Sequence, residues 1–157
     1  MKDKLYLETT VPSYLAARSS RDLIVAGHQQ ITREWWTKRR SDFNIYISQF
    51  VIDEASLGDP AVSQSRLDLL KNIDLLEIND EVGHLARSII ESGAIPKKAA
   101  TDAAHIAIAS VHGIKYLLTW NCAHIANAEI SWKVSAVCRK QGFVCPVICT
   151  PEELMGE

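Results

Sequence analysis

The stretch AATDAAHIAIASVHGIKYLLT, residues 99–119, decides the fold. Residues 99–112 are rich in alanine and contain neither glycine nor proline, so they predict a helix. Gly113 follows at the position just past a helix end, where a left-handed backbone favours glycine. Residues 115–119 (KYLLT) are a compact apolar run of strand length. The same alternation of helix and short strand extends outward in both directions. Toward the N-terminus, Asp80 and Glu81 open a helix with acids in its first turn, and Gly93 and Pro96 end it. Before it come a strand at residues 75–78, an amphipathic helix at 62–73, and a helix at 50–57 stopped by Gly58-Asp59-Pro60. Residues 44–48 (NIYIS) have the composition of a strand. A helix over residues 22–38 ends in Lys38, Arg39 and Arg40, cations suited to the negative end of its dipole. The first strand is residues 4–8 (KLYLE), followed at once by the helix-start signature Thr9-Thr10-Val11-Pro12. Toward the C-terminus lie a helix at 130–141 and a strand at 144–149. Strands alternating with helices imply parallel pairing, right-handed crossovers and a three-layer α/β/α sandwich around a central parallel sheet. No repeat, low-complexity tract or linker interrupts residues 1–157, which read as a single domain.

Composition narrows the classes of function. The hydrophobic fraction is 47% and the charged fraction 23%, both near globular averages and unlike a disordered chain. Seventeen Lys and Arg face nineteen Asp and Glu, which excludes a strongly basic nucleic-acid coat while leaving room for a local patch. Residues 1–40 hold eight basic and four acidic side chains, against nine and fifteen in the rest. No apolar run approaches the ~20 residues of a membrane span, and the charged opening MKDKLYLETT does not read as a secretory signal. Cys122, Cys138, Cys145 and Cys149 contain no C-x₂-C pair of the kind a zinc site uses. They read as free thiols packed as small hydrophobes, and the expected compartment is the cytoplasm.

In an open parallel sheet, sites form beyond the carboxyl ends of the strands, where the strand order switches. Glu8 sits where the first strand ends, and Trp120-Asn121 follow the strand at 115–119. Asp102 lies in the opening turns of the alanine-rich helix, and Glu54 lies on the helix after the second strand. Three carboxylates and an amide can therefore face one crevice. Carboxylates in close company repel unless a cation neutralises them. All-oxygen sets suit hard cations such as Mg²⁺, which can activate water and offset charge on a phosphoryl oxygen. Acids at the mouth of a parallel sheet, without a Gly-rich phosphate loop, point to phosphodiester hydrolysis more than to nucleotide binding.

Four segments carry a resemblance. YLETTVPSYL (residues 6–15), ISQFVIDEASLGD (47–59), DAAHIAIAS (102–110) and LLTWNCAHIANA (117–128) are similar, in this order and over about the whole chain, to the signature regions of PIN-domain proteins. They look in particular like the VapC-type toxins of type II toxin–antitoxin systems. The resemblance implies a PIN-like α/β/α sandwich, a Mg²⁺- or Mn²⁺-dependent ribonuclease, a homodimer and a cognate antitoxin protein that blocks the site. Carried over residue by residue, it implies that Glu8, Glu54 and Asp102 hold the metal, with Asn121 assisting as a fourth catalytic residue. Two positions depart from the family pattern: Glu8 stands where Asp is usual, and Asn121 stands where a fourth acid is often found. Thr10 matches a small hydroxyl residue near the first acid, and Lys97 and Lys98 are placed to meet an RNA backbone.

Each residue also has a plainer reading. Glu8, Glu54 and Asp102 can be helix-associated surface acids, and Asn121 can simply make a turn. His105 and His124 read as hydrogen-bonded structural histidines or as groups that position substrate, and Asn127 as the residue that holds the HIAN loop. Arg33, Lys38, Arg39 and Arg40 beside Trp35-Trp36 read either as a nucleic-acid surface or as a solvated helix end anchored by tryptophan. Two rival functions follow from the departures. One is a catalytically weakened PIN-like module that binds RNA or an antitoxin without cleavage. The other is a small-molecule phosphatase, against which stands the lack of a D-x-D pair after the first strand.

Overall fold

The computed structural model describes residues 1–156. Five strands, β1 (Asp3–Leu7), β2 (Phe43–Ile47), β3 (Asp74–Leu75), β4 (Tyr116–Leu118) and β5 (Val147–Cys149), form one sheet in the order β3-β2-β1-β4-β5. Every pairing is parallel. The helices are α1 (Thr10–Ala16), α2 (Leu23–Lys38), α3 (Gln49–Ala55), α4 (Pro60–Leu70), α5 (Asp80–Glu91), α6 (Ala100–Val111) and α7 (Ala128–Lys140). α1 packs on α2 and α4, while α5 packs on α6 and α7, giving the layered α/β/α arrangement expected from the sequence.

The central strands are buried on both faces, as a covered parallel sheet requires. Leu5, Tyr6, Leu7, Leu117 and Leu118 are all inaccessible to solvent. Helix α6 is buried from Ala103 to Ser110, and its alanines let it approach its neighbours closely. It ends as expected, with Gly113 at a φ of +66°.

Where element ends differ from the sequence reading, the partner strand explains the difference. β3 is two residues long, not the four of residues 75–78. Its neighbour β2 stops at Ile47, so after Tyr46↔Asp74 and Ile47↔Leu75 no ladder remains to pair with. β5 starts at Val147 rather than at residue 144, because β4 offers only three residues and Pro146 lacks a backbone donor. α4 runs from Pro60 to Leu70 instead of 62–73. Asp59 caps it by accepting from the amides of Ala61 and Val62, and Asn72, at a φ of +67°, lies beyond its end. α7 starts two residues early because Asn127 caps it.

β1 lies between β2 and β4, and the chain first extends the sheet on one side of β1 and later on the other. The gap between the ends of β1 and β4 is therefore the point where strand order switches. Leu117→Ala, in the middle of β4, is expected to lower the unfolding free energy by about 2–5 kcal/mol. Urea denaturation checks this, and a loss well under 1 kcal/mol would contradict such a tightly packed centre.

Candidate metal centre

Glu8 is the first residue after β1, and its side chain lies over the switch point rather than out in water; the residue is 2% exposed. Its backbone amide still donates to Leu118 of β4 at 3.1 Å, so the β1–β4 pairing fixes where the carboxylate begins. Three donors converge on Oε1: the Thr10 hydroxyl at 2.5 Å, the Thr119 hydroxyl at 2.7 Å and the Thr10 amide at 3.0 Å. The two hydroxyls are held in turn. Thr10 Oγ1 accepts from the Trp120 amide at 2.8 Å, and Thr119 Oγ1 accepts from the Asn121 amide at 2.9 Å. Among the described residues no hydrogen bond falls on Oε2.

Glu54 reaches the same place from α3. Its Oε1 accepts the Thr9 hydroxyl at 2.7 Å and lies 2.5 Å from His105 Nε2. Its Oε2 likewise makes no hydrogen bond among the described residues. Asp53, beside it in sequence, points away to an exposed bond with Gln49. Burial by itself raises the pKa of Glu54, but the hydrogen bond and positive charge of His105, with the Thr9 hydroxyl, outweigh it and hold the carboxyl below its ordinary value of 4.5.

His105 sits on α6, fully buried. Its Nδ1 lies 2.6 Å from the Tyr6 hydroxyl, which lies 2.7 Å from Ser48 Oγ. The Phe50 ring packs against the imidazole in a T-shaped contact, with the ring centres 6.2 Å apart. Ligand atoms of Glu8, Glu54 and His105 all fall within 4.8 Å of one another, a group able to hold a metal ion. Neither glutamate is paired with a lysine or arginine among the described residues. Two carboxylates with one tethered and one untethered oxygen each, and no lysine or arginine between them, fit a divalent cation.

The other expected site residues fall around this group. Asp102, on the first turn of α6, is not part of it: its carboxylate lies 3.0 Å from His124 Nδ1, on the loop after β4. Asn121 turns that loop, its side-chain oxygen accepting the His124 amide at 3.1 Å. Thr10 lies in the centre, where its hydroxyl and its amide both donate to Glu8. Lys97 and Lys98 are exposed on the short turn leading into α6. Asn127 holds the loop through the carbonyls of Cys122 and Ala123. In the basic cluster Trp35 is buried in the core and Arg40 lies over the ring of Trp36 at 4.5 Å. A hollow of about 660 Å³ is bordered by Trp36, Arg40, Asp68 and Asp74 and contains none of the expected site acids.

The sequence reading did not single out Thr9, Thr119, Ser48 and Tyr6. A signal was present for three of them, since Ser48 and Thr119 each follow directly on a strand and Thr9 comes one residue later. The four cysteines are free, as expected. No protein-family model matches the chain, and no curated protein matches it.

The depressed value of Glu54 has a sign for stability. The folded state binds that proton less readily than the unfolded chain, so the contribution is present above pH 4.5 and is lost as pH falls through the folded value. Metal-free wild-type protein is expected to exceed Glu54→Gln in stability at neutral pH, with the difference shrinking below about pH 4.5. Urea midpoints across that range check this, and a difference that grows on acidification would contradict it.

Proposed function

We propose that this protein is a metal-dependent ribonuclease of PIN-like type that hydrolyses RNA phosphodiester bonds, acting as the toxin of a toxin–antitoxin pair. The observation that carries the reading is the meeting of Glu8 and Glu54 over the switch point, each with an oxygen left untethered. The resemblance of four ordered segments to PIN-domain signatures supports the same reading. Glu8 and Glu54 would hold Mg²⁺ or Mn²⁺. A divalent cation bound there supplies an activated water and offsets charge on the phosphoryl oxygens.

The chain's own groups do the positioning. Thr10 and Thr119 fix the rotamer of Glu8, and Thr9 and His105 fix that of Glu54, so neither carboxylate spends conformational freedom when it engages. Lys97 and Lys98 offer exposed positive charge to a phosphate backbone before α6. Asp102 anchors His124 and orders the loop after β4, so its contribution runs through that loop rather than through the Glu8–Glu54 pair. Leu23 and Ile24, exposed at the start of α2, give a partner such as an antitoxin or a second copy an apolar contact. No helix of the described residues is long and apolar enough to cross a membrane, which accords with a cytoplasmic role.

Cleavage of labelled single-stranded RNA with Mg²⁺ or Mn²⁺ tests the proposal, with Glu8→Gln purified in parallel. Wild type is expected to cut and to stop when the cation is chelated. Glu8→Gln is expected to lose about a hundredfold or more, since losing even an outer partner of a metal costs about 10–100-fold. Full activity in folded Glu8→Gln would overturn the assignment. RNA binding without cleavage by wild type would favour the module that binds without cutting.

A further inference from the structure

The surroundings of His105 decide which of its nitrogens is free to act. Its ring is closed off from solvent, with Tyr6 Oη 2.6 Å from Nδ1 and Glu54 Oε1 2.5 Å from Nε2. The Tyr6 hydroxyl has one proton to place between its two partners. If that proton goes to Ser48 Oγ at 2.7 Å, then Nδ1–H must donate to Oη, and Nε2, once it gives up the proton it shares with Glu54 Oε1, turns a lone pair toward the two glutamates. Ser48, Tyr6 and His105 come from the end of β2, from β1 and from α6, three elements fixed by the core. A histidine that binds metal is normally oriented in this manner, with the other ring N–H donated to a polar partner. Both glutamates, meanwhile, carry their hydrogen bonds on one oxygen and leave the other unengaged.

We propose that His105 Nε2 is a third ligand of the cation site, joining Glu8 and Glu54, and that the site takes a first-row transition cation such as Mn²⁺, Co²⁺ or Zn²⁺ in preference to Mg²⁺. The inference rests on the cation site of the proposed function and adds its nitrogen donor. Imidazole suits transition metals, whereas Mg²⁺ favours oxygen donors and keeps much of its water. The proton that lies between Nε2 and Glu54 Oε1 leaves to solvent when a cation takes its place, as ligand deprotonation requires. Tyr6 is a positioning residue, acting through His105.

Pulsed electron paramagnetic resonance of the full chain loaded with Mn²⁺ reads the ligand directly. Wild type is expected to show nitrogen modulation, to keep it in His124→Gln and to lose it in His105→Gln. Equimolar Mg²⁺ is expected not to displace the Mn²⁺. Tyr6→Phe is expected to bind Mn²⁺ about 10–100-fold more weakly. Should His105→Gln fail to fold, the wild-type and His124→Gln spectra still decide the matter. Bound Mn²⁺ without nitrogen modulation, or modulation lost in His124→Gln, would overturn the inference while leaving a carboxylate cation site. No Mn²⁺ binding at all would overturn the cation site itself.

Discussion

The carboxylate of Glu8, withdrawn from water at the junction of β1 and β4, is the constraint around which the rest of the site is arranged. Taking a carboxylate out of water costs several kcal/mol unless partners replace its hydration. Here the replacement is a collar of hydroxyls: Thr10 and Thr119 on Glu8, and Thr9 on Glu54. Hydroxyls and amides donate hydrogen bonds without bringing a full positive charge. The negative charge of Glu8 is therefore kept rather than cancelled, as it would be by an arginine or lysine, while Glu54 is balanced in part by His105.

The fold makes that collar available at low cost. Because all strands are parallel, the first residues beyond β1, β2 and β4 emerge at one end of the sheet, and Glu8, Thr9, Ser48 and Thr119 all lie there. The core below them is dense, with Tyr6, Leu7, Leu117 and Leu118 closed to solvent, so the side chains above stand on rigid supports. Helix α6 then delivers His105 from the side into contact with both Tyr6 and Glu54. Residues separated by 99 and 51 positions meet because a close-packing, alanine-rich helix lies against the strand ends.

Much of this was legible in the chain itself, for identifiable reasons. The alternation of strand and helix and the stop at Gly113 are local signals, and local physics delivers them. Glu8 was legible because residues at strand ends in parallel sheets gather at the site, and Glu54 because it follows β2 on a short helix. The length of β3 was not legible, since it depends on where a different strand stops. The partner of Asp102 was also hidden: it depends on how the loop after β4 folds back, which brings His124 to the carboxylate. His105 was visible as a histidine three residues beyond Asp102. That it turns instead to Glu54 and Tyr6 follows from the packing of α6 on the sheet, a long-range outcome that periodicity does not encode.

The central claim is that the hollow between Glu8 and Glu54 binds a cation. Anomalous diffraction from a crystal of the protein soaked in Mn²⁺ tests it most directly. One strong peak is expected within bonding distance of a carboxylate oxygen of Glu8 and one of Glu54. A peak confined to the Asp102–His124 pair, or none near the strand ends at saturating Mn²⁺, would contradict it.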